Sequence, residues 1–140
     1  MKWKPEKGYP YCTIMTAGNI GYFVWEDSEI DNYLWSVGKI YKTEKLALFD
    51  SDKAKVKAEL ERYAREHNDP DREEWNRCYI HFCIQLPPPD NSHLRIAEYC
   101  NFKTESVTYF TSREIAKNAI KAIGEDRIKK YLFGVEVEDE

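Results

Sequence analysis

No stretch of this 140-residue chain approaches the roughly 20 consecutive apolar residues that a membrane-spanning helix needs, so the pattern excludes a helical span. Glycine is sparse at six residues and forms no phosphate-cradling loop. There is no serine elbow and no paired-histidine helix motif, and the three histidines, His67, His81 and His93, fall in separate elements. The sequence therefore reads as non-enzymatic. Its four cysteines, Cys12, Cys78, Cys83 and Cys100, show no Cys-x-x-Cys spacing, and the amino terminus lacks the apolar run of a signal peptide. Reduced thiols in a cytoplasmic setting are the expectation. His81 and Cys83 would share one strand face, whereas Cys78 stands an odd number of residues from Cys83 and would point the other way. That pair is two ligands short of a zinc site, so neither a metal nor another cofactor is expected.

Charge of one sign is lacking too. The formal net charge is -4, residues 1–68 carry 11 basic and 11 acidic side chains, and residues 69–140 carry 10 and 14. Four of those 14 form an acidic C-terminal tail: Glu136, Glu138, Asp139 and Glu140. The remaining body is close to neutral, which argues against a strongly basic nucleic-acid binder and equally against a duplex mimic. What the chain has in abundance is aromatic rings: ten Tyr, six Phe and four Trp. That exceeds what the core of such a chain needs, so some rings are expected on a binding face, although amphipathic core positions also use them.

A chain of this length can bury about two-thirds of its unfolded surface, so one domain over residues 1–140 is expected. Residues 9–15 and 20–25 read as a hairpin around the turn residues 16–19, and 26–32 reads as an acidic loop. A third strand is expected over 33–41. From Thr43, the candidate N-cap, Leu46, Phe49, Val56, Leu60, Tyr63 and His67 draw an apolar stripe down a long helix reaching about Asn68. The side chains of residues 50–52 compete for backbone groups and could bend or restart it. An acidic hinge follows at 69–74, then a strand within 75–86, a stiff proline turn at 87–91 and a return strand at 94–102. Thr111 to Glu114 has capping-box spacing, Gly124 stands as a helix stop, and 125–133 makes a last short helix.

Residues 40–47 align without a gap against 109–116, and each segment runs from bulky strand residues into a helix with an inner alanine, Ala47 or Ala116. A duplicated strand-to-helix corner is the simplest explanation. The expected fold is α+β: two similar strand-strand-helix halves, about 8–68 and 75–135, with a mostly antiparallel sheet and helices on one face.

The segments 109–116 and 119–132, with the Thr43 helix start inside 38–66, resemble small proteins of phages and prophages of Gram-positive bacteria. The resemblance covers about 8–135. It implies an accessory protein of a mobile element, and its shared residues are caps, glycine stops and helix-core positions rather than chemistry.

That setting, the surplus of rings and the missing catalytic set point to a protein-binding module that occludes a host protein, a CRISPR effector nuclease being the sharpest case. Trp25, Trp35 and Trp75 are the expected anchors, since interface hot spots favour tryptophan. The acidic residues Glu26, Asp27, Glu29, Asp31, Glu73 and Glu74 would meet a basic groove on that partner. The alternative is a nucleic-acid-binding accessory protein using Lys39, Lys42, Lys45, Lys53 and Lys57 beside Trp35 and Tyr41. The neutral body predicts weak, salt-sensitive binding in that case.

Overall fold

A computed structural model describes residues 3–75, 79–87, 93–99 and 103–135. Cys78, Cys100, most of the proline turn and the acidic tail lie outside these residues. The described elements, in chain order, are β1 (Pro10–Ile14), β2 (Ile20–Val24), α1 (Glu29–Ser36), α2 (Glu44–His67), β3 (His81–Gln85), β4 (Arg95–Tyr99), α3 (Arg113–Ile123) and α4 (Glu125–Phe133). A 3-10 turn, Pro70–Arg72, occupies the expected acidic hinge. The fold is α+β, and both strand pairs are antiparallel. They form two separate two-stranded sheets, β1-β2 and β3-β4, where one larger sheet was expected.

The chain divides into two compact units, residues 1–53 and 54–140, and the boundary falls inside α2. In the first unit Cys12 pairs with Tyr22 across the hairpin, and its backbone also exchanges hydrogen bonds with Tyr41 at 2.8 and 2.9 Å. Its small core gathers Cys12, Tyr41 and Ala47, with Ile14 and Ile20 against them. In the second unit the later turns of α2 contribute Val56, Leu60 and Ala64 to a larger core with Ile96, Phe110, Ala116, Ala119, Ile123 and Ile128. Helix α3 packs on β3 and β4. The backbone of Phe82 exchanges hydrogen bonds with Phe110 at 2.8 and 2.7 Å. Each corner therefore has the same local form: one bridging aromatic residue, one spacer, a hydroxyl residue and a helix.

Local expectations are corrected at several points. The acidic loop and the third strand give way to α1, because Ser28 caps a helix there, accepting from the Asp31 amide at 3.1 Å while Asp31 accepts from the Ser28 amide at 3.2 Å. Helix α2 starts after Thr43, whose Oγ1 accepts from the Leu46 amide at 3.2 Å, and it passes residues 50–52 without restarting. Leu46 and Phe49 do not belong to its buried stripe and are exposed.

The cap of α3 is Ser112, accepting from the Ile115 amide at 3.1 Å, and not Thr111. Thr111 is buried instead, where its Oγ1 accepts from the Asp69 amide at 2.9 Å and its amide donates to Asn68. In the aligned corners Ser112 stands opposite Thr43, so the two hydroxyl caps share a position. Ser112→Ala is expected to lower stability by about 1 kcal/mol in urea unfolding, and Ser112→Asp to restore most of it. Equal stability of Ser112→Ala and the parent would show that the hydroxyl does not cap.

Candidate protein-binding site

Helix α1 ends at Ser36, and Gly38 follows at φ 74°, a left-handed position that suits glycine and lets the Lys39 amide donate to the Leu34 carbonyl at 2.8 Å. The turn directs the chain through Ile40 to Tyr41, which is held on β1. Tyr41 donates its hydroxyl to Asp50 Oδ2 at 2.7 Å, fixing the first turns of α2 against this segment. Burial and the Asp50 carboxylate both push the Tyr41 hydroxyl above its ordinary pKa, so it stays a donor. Trp3, Trp35, Ile40, Tyr41, Leu46 and Phe49 then line a mainly apolar groove of about 270 Å³, with Lys42 and Asp50 beside them.

Trp35 is half-buried at this groove, and the Lys4 ammonium lies 4.9 Å from its ring centre and 5.3 Å from that of Trp25. Its indole nitrogen is buried and has no hydrogen-bond partner. Among the predicted anchors, Trp35 alone is placed on the groove. Trp25 is only 3% exposed and packs edge-on against Tyr11 with ring centres 6.2 Å apart, so it serves the interior. Trp75 lies in the other unit, stacked on His81 at 3.9 Å and edge-on to Tyr109 at 4.8 Å.

The acidic residues separate as well. Asp31 is 5% exposed and cannot meet a partner. Burial by itself would raise its pKa, but hydrogen bonds from Tyr11 (2.5 Å), the Glu26 amide (2.8 Å) and Ser28 outweigh burial and hold the carboxyl at about 2. Asp27 accepts from Asn32 Nδ2 at 2.9 Å, and Glu29 lies in the first turn of α1, where its charge favours the helix dipole. Glu26, Asp27 and Glu29 are exposed, as are Glu73 and Glu74 beside the 3-10 turn. The lysines of the alternative reading, Lys39, Lys42, Lys45, Lys53 and Lys57, are all exposed, and only Lys42 borders the groove.

His81 and Cys83 do share a buried strand face, and burial raises the Cys83 thiol above its usual pKa, which makes it a poor nucleophile. Among the described residues no cluster of three or more ligand-type side chains could hold a metal ion. Nor is any described helix long and apolar enough to cross a membrane.

The reading from residue types missed Trp3, Leu46 and Phe49. A signal for part of this was present, because Leu46, Ala47, Leu48 and Phe49 are four successive apolar positions and together circle a helix, so some must face away from the core. The structure buries Ala47 and leaves Leu46, Leu48 and Phe49 exposed. Comparison of the chain with family models, with curated proteins and with solved structures returns no match.

Proposed function

We propose that the protein is a non-enzymatic protein-binding module of a phage or prophage, acting in the cytoplasm of a bacterial host by occluding a defence protein such as a CRISPR effector nuclease. The observation that carries the binding part of this reading is where apolar surface is left uncovered. Among the described residues 14 large hydrophobic side chains are exposed, and all but Ile80 and Phe133 lie in residues 1–53. A unit that small sits near the lower limit for burying enough surface, yet this one spends its rings and aliphatic chains outside. Apolar surface concentrated in this way marks interaction sites.

The groove offers the anchor point, with Trp35 and Phe49 as ring walls and Leu46 at its edge. The exposed carboxylates Glu26, Asp27 and Glu29 supply a polar margin to the same unit, suited to a basic partner.

Immobilised protein is expected to enrich a defence nuclease from lysate of a Gram-positive host, read by mass spectrometry. Leu46→Asp, which puts a charge at the groove without disturbing a buried position, is expected to reduce that capture at least about tenfold. Capture of no nuclease, or equal capture by Leu46→Asp, would overturn the reading. Retention of labelled single-stranded nucleic acid at moderate salt, lost on replacing Lys42 and Lys45 together, would favour the nucleic-acid alternative.

A further inference from the structure

We propose that β2 is a self-pairing edge, and that two copies of the chain join through an antiparallel ladder between their β2 strands, centred on Tyr22. The proposal starts from the phase of the hairpin's hydrogen bonds. The Met15 amide donates to the Asn19 carbonyl at 2.7 Å and the Trp25 amide to the Tyr9 carbonyl at 2.9 Å. In an antiparallel pair such positions alternate, so Tyr11 with Phe23 and Thr13 with Gly21 are the other hydrogen-bonded pairs. The backbone groups of the intervening residues must point away from the hairpin.

On the β1 side that expectation is met, since Cys12 turns both its amide and its carbonyl to Tyr41. That edge is occupied. On the β2 side the same alternation turns the amides and carbonyls of Ile20, Tyr22 and Val24 outward, and among the described residues β2 has no second strand neighbour. Natural edges of this kind are protected by lysine, proline, inward charge or a bulge. Residues 20–24 contain none of these: Ile, Gly, Tyr, Phe and Val pair in unbroken register with β1. Tyr22 is 63% exposed and Val24 49%, with Phe23 exposed between them.

A second copy fits this edge better than an unrelated strand for two reasons. Self-pairing about a two-fold axis at Tyr22 sets Ile20 opposite Val24 of the other copy, so β-branched residues face each other on both sides of the axis. The strand is also uncharged throughout, so neither copy brings a like charge to the shared ladder. Tyr22 donates its hydroxyl to Glu44, on helix α2 of its own unit, which fixes the ring. Each chain carries a net charge of -4, so added salt screens the repulsion between copies and the dimer tightens as salt rises. A strand supplied by a basic partner would weaken instead.

Sedimentation of the full chain from low micromolar to several hundred micromolar concentration tests this. A monomer–dimer equilibrium that strengthens with salt is expected. Val24→Lys, an exposed position, is expected to weaken it at least about tenfold by setting a charge opposite Ile20. Tyr22→Cys is expected to form an inter-copy disulfide on mild oxidation above the wild-type background, because the axial pair would stand about 5.5 Å apart between Cα atoms. Phe23→Cys, whose partner is Gly21, should stay at background.

A chain that remains monomeric across this range overturns the proposal, as does a dimer that Val24→Lys leaves intact or that Tyr22→Cys fails to trap. Leu46→Asp should leave the dimer unchanged, so this edge and the proposed groove fail or stand separately.

Discussion

Asp31→Asn is expected to destabilise residues 1–53 by about 2–3 kcal/mol, among the largest effects available to a change of one atom. Asp31 is buried and accepts from the Tyr11 hydroxyl and from the amides of Glu26 and Ser28. An asparagine can keep its oxygen on the two amides only by turning its NH2 to the Tyr11 hydroxyl, which must then accept where it now donates, and it loses the negative charge that strengthens all of these bonds. The same site sets an acid dependence. Its carboxyl is held at about 2, below the ordinary value of 3.8, so the folded chain binds fewer protons than the unfolded chain between these values. The stabilisation is therefore complete above about pH 4 and is lost as pH falls through about 2, amounting to about 1–2 kcal/mol. Hydrogen exchange of the Cys12 and Tyr41 amides, which bridge β1 to the α1–α2 turn, reads this unit locally. Protection in the parent should fall across that window, and in Asp31→Asn it should be low and flat. Unchanged protection in the variant would mean that Asp31 does not hold the α1 corner.

Phe110→Ala is expected to cost about 3–5 kcal/mol, enough to remove much of the 5–15 kcal/mol by which domains are ordinarily stable. The ring is fully buried among Val56, Leu60, Ala116 and Ile128, and alanine would leave a cavity that helices on several sides cannot all move to fill. The backbone bridge to Phe82 survives the substitution, so the loss belongs to the ring. Phe110→Leu, which retains most of the volume, should cost less than about 2 kcal/mol. Urea unfolding midpoints compare the three. A cost for alanine no larger than that for leucine would show that the ring is not a core centre.

Much of the secondary structure is legible in the sequence. The hairpin at 9–25, the long helix after Thr43 and the helices on either side of Gly124 follow from period, caps and turn residues. The region 26–41 does not show its helix in the sequence, because Ser28 and Asp31 have the form of a polar loop, and the short run Tyr33, Leu34 and Trp35 fits a strand or one face of a helix equally well. Of the groove residues the sequence points to Trp35 as a protein anchor, and to Tyr41 and Lys42 only through the nucleic-acid alternative. Trp25 and Asp31 looked like surface residues because both belong to a stretch rich in carboxylates, and nothing local distinguishes an acid that faces water from one that collects amide donors.

The sequence by itself determined that the chain is α+β, where α2 and α4 begin, and that it holds no apolar run long enough for a helical membrane span. Those properties depend on spacing along the chain, which periodicity and capping preserve at short range. The tertiary structure alone decided that Trp25 faces inward while Trp35 lines a groove, that the boundary between compact units falls within α2, and that β1 has its outer edge taken by Tyr41 while β2 has not. Each of those outcomes depends on residues distant in sequence competing for the same neighbours, and such competition is settled only when the chain has folded.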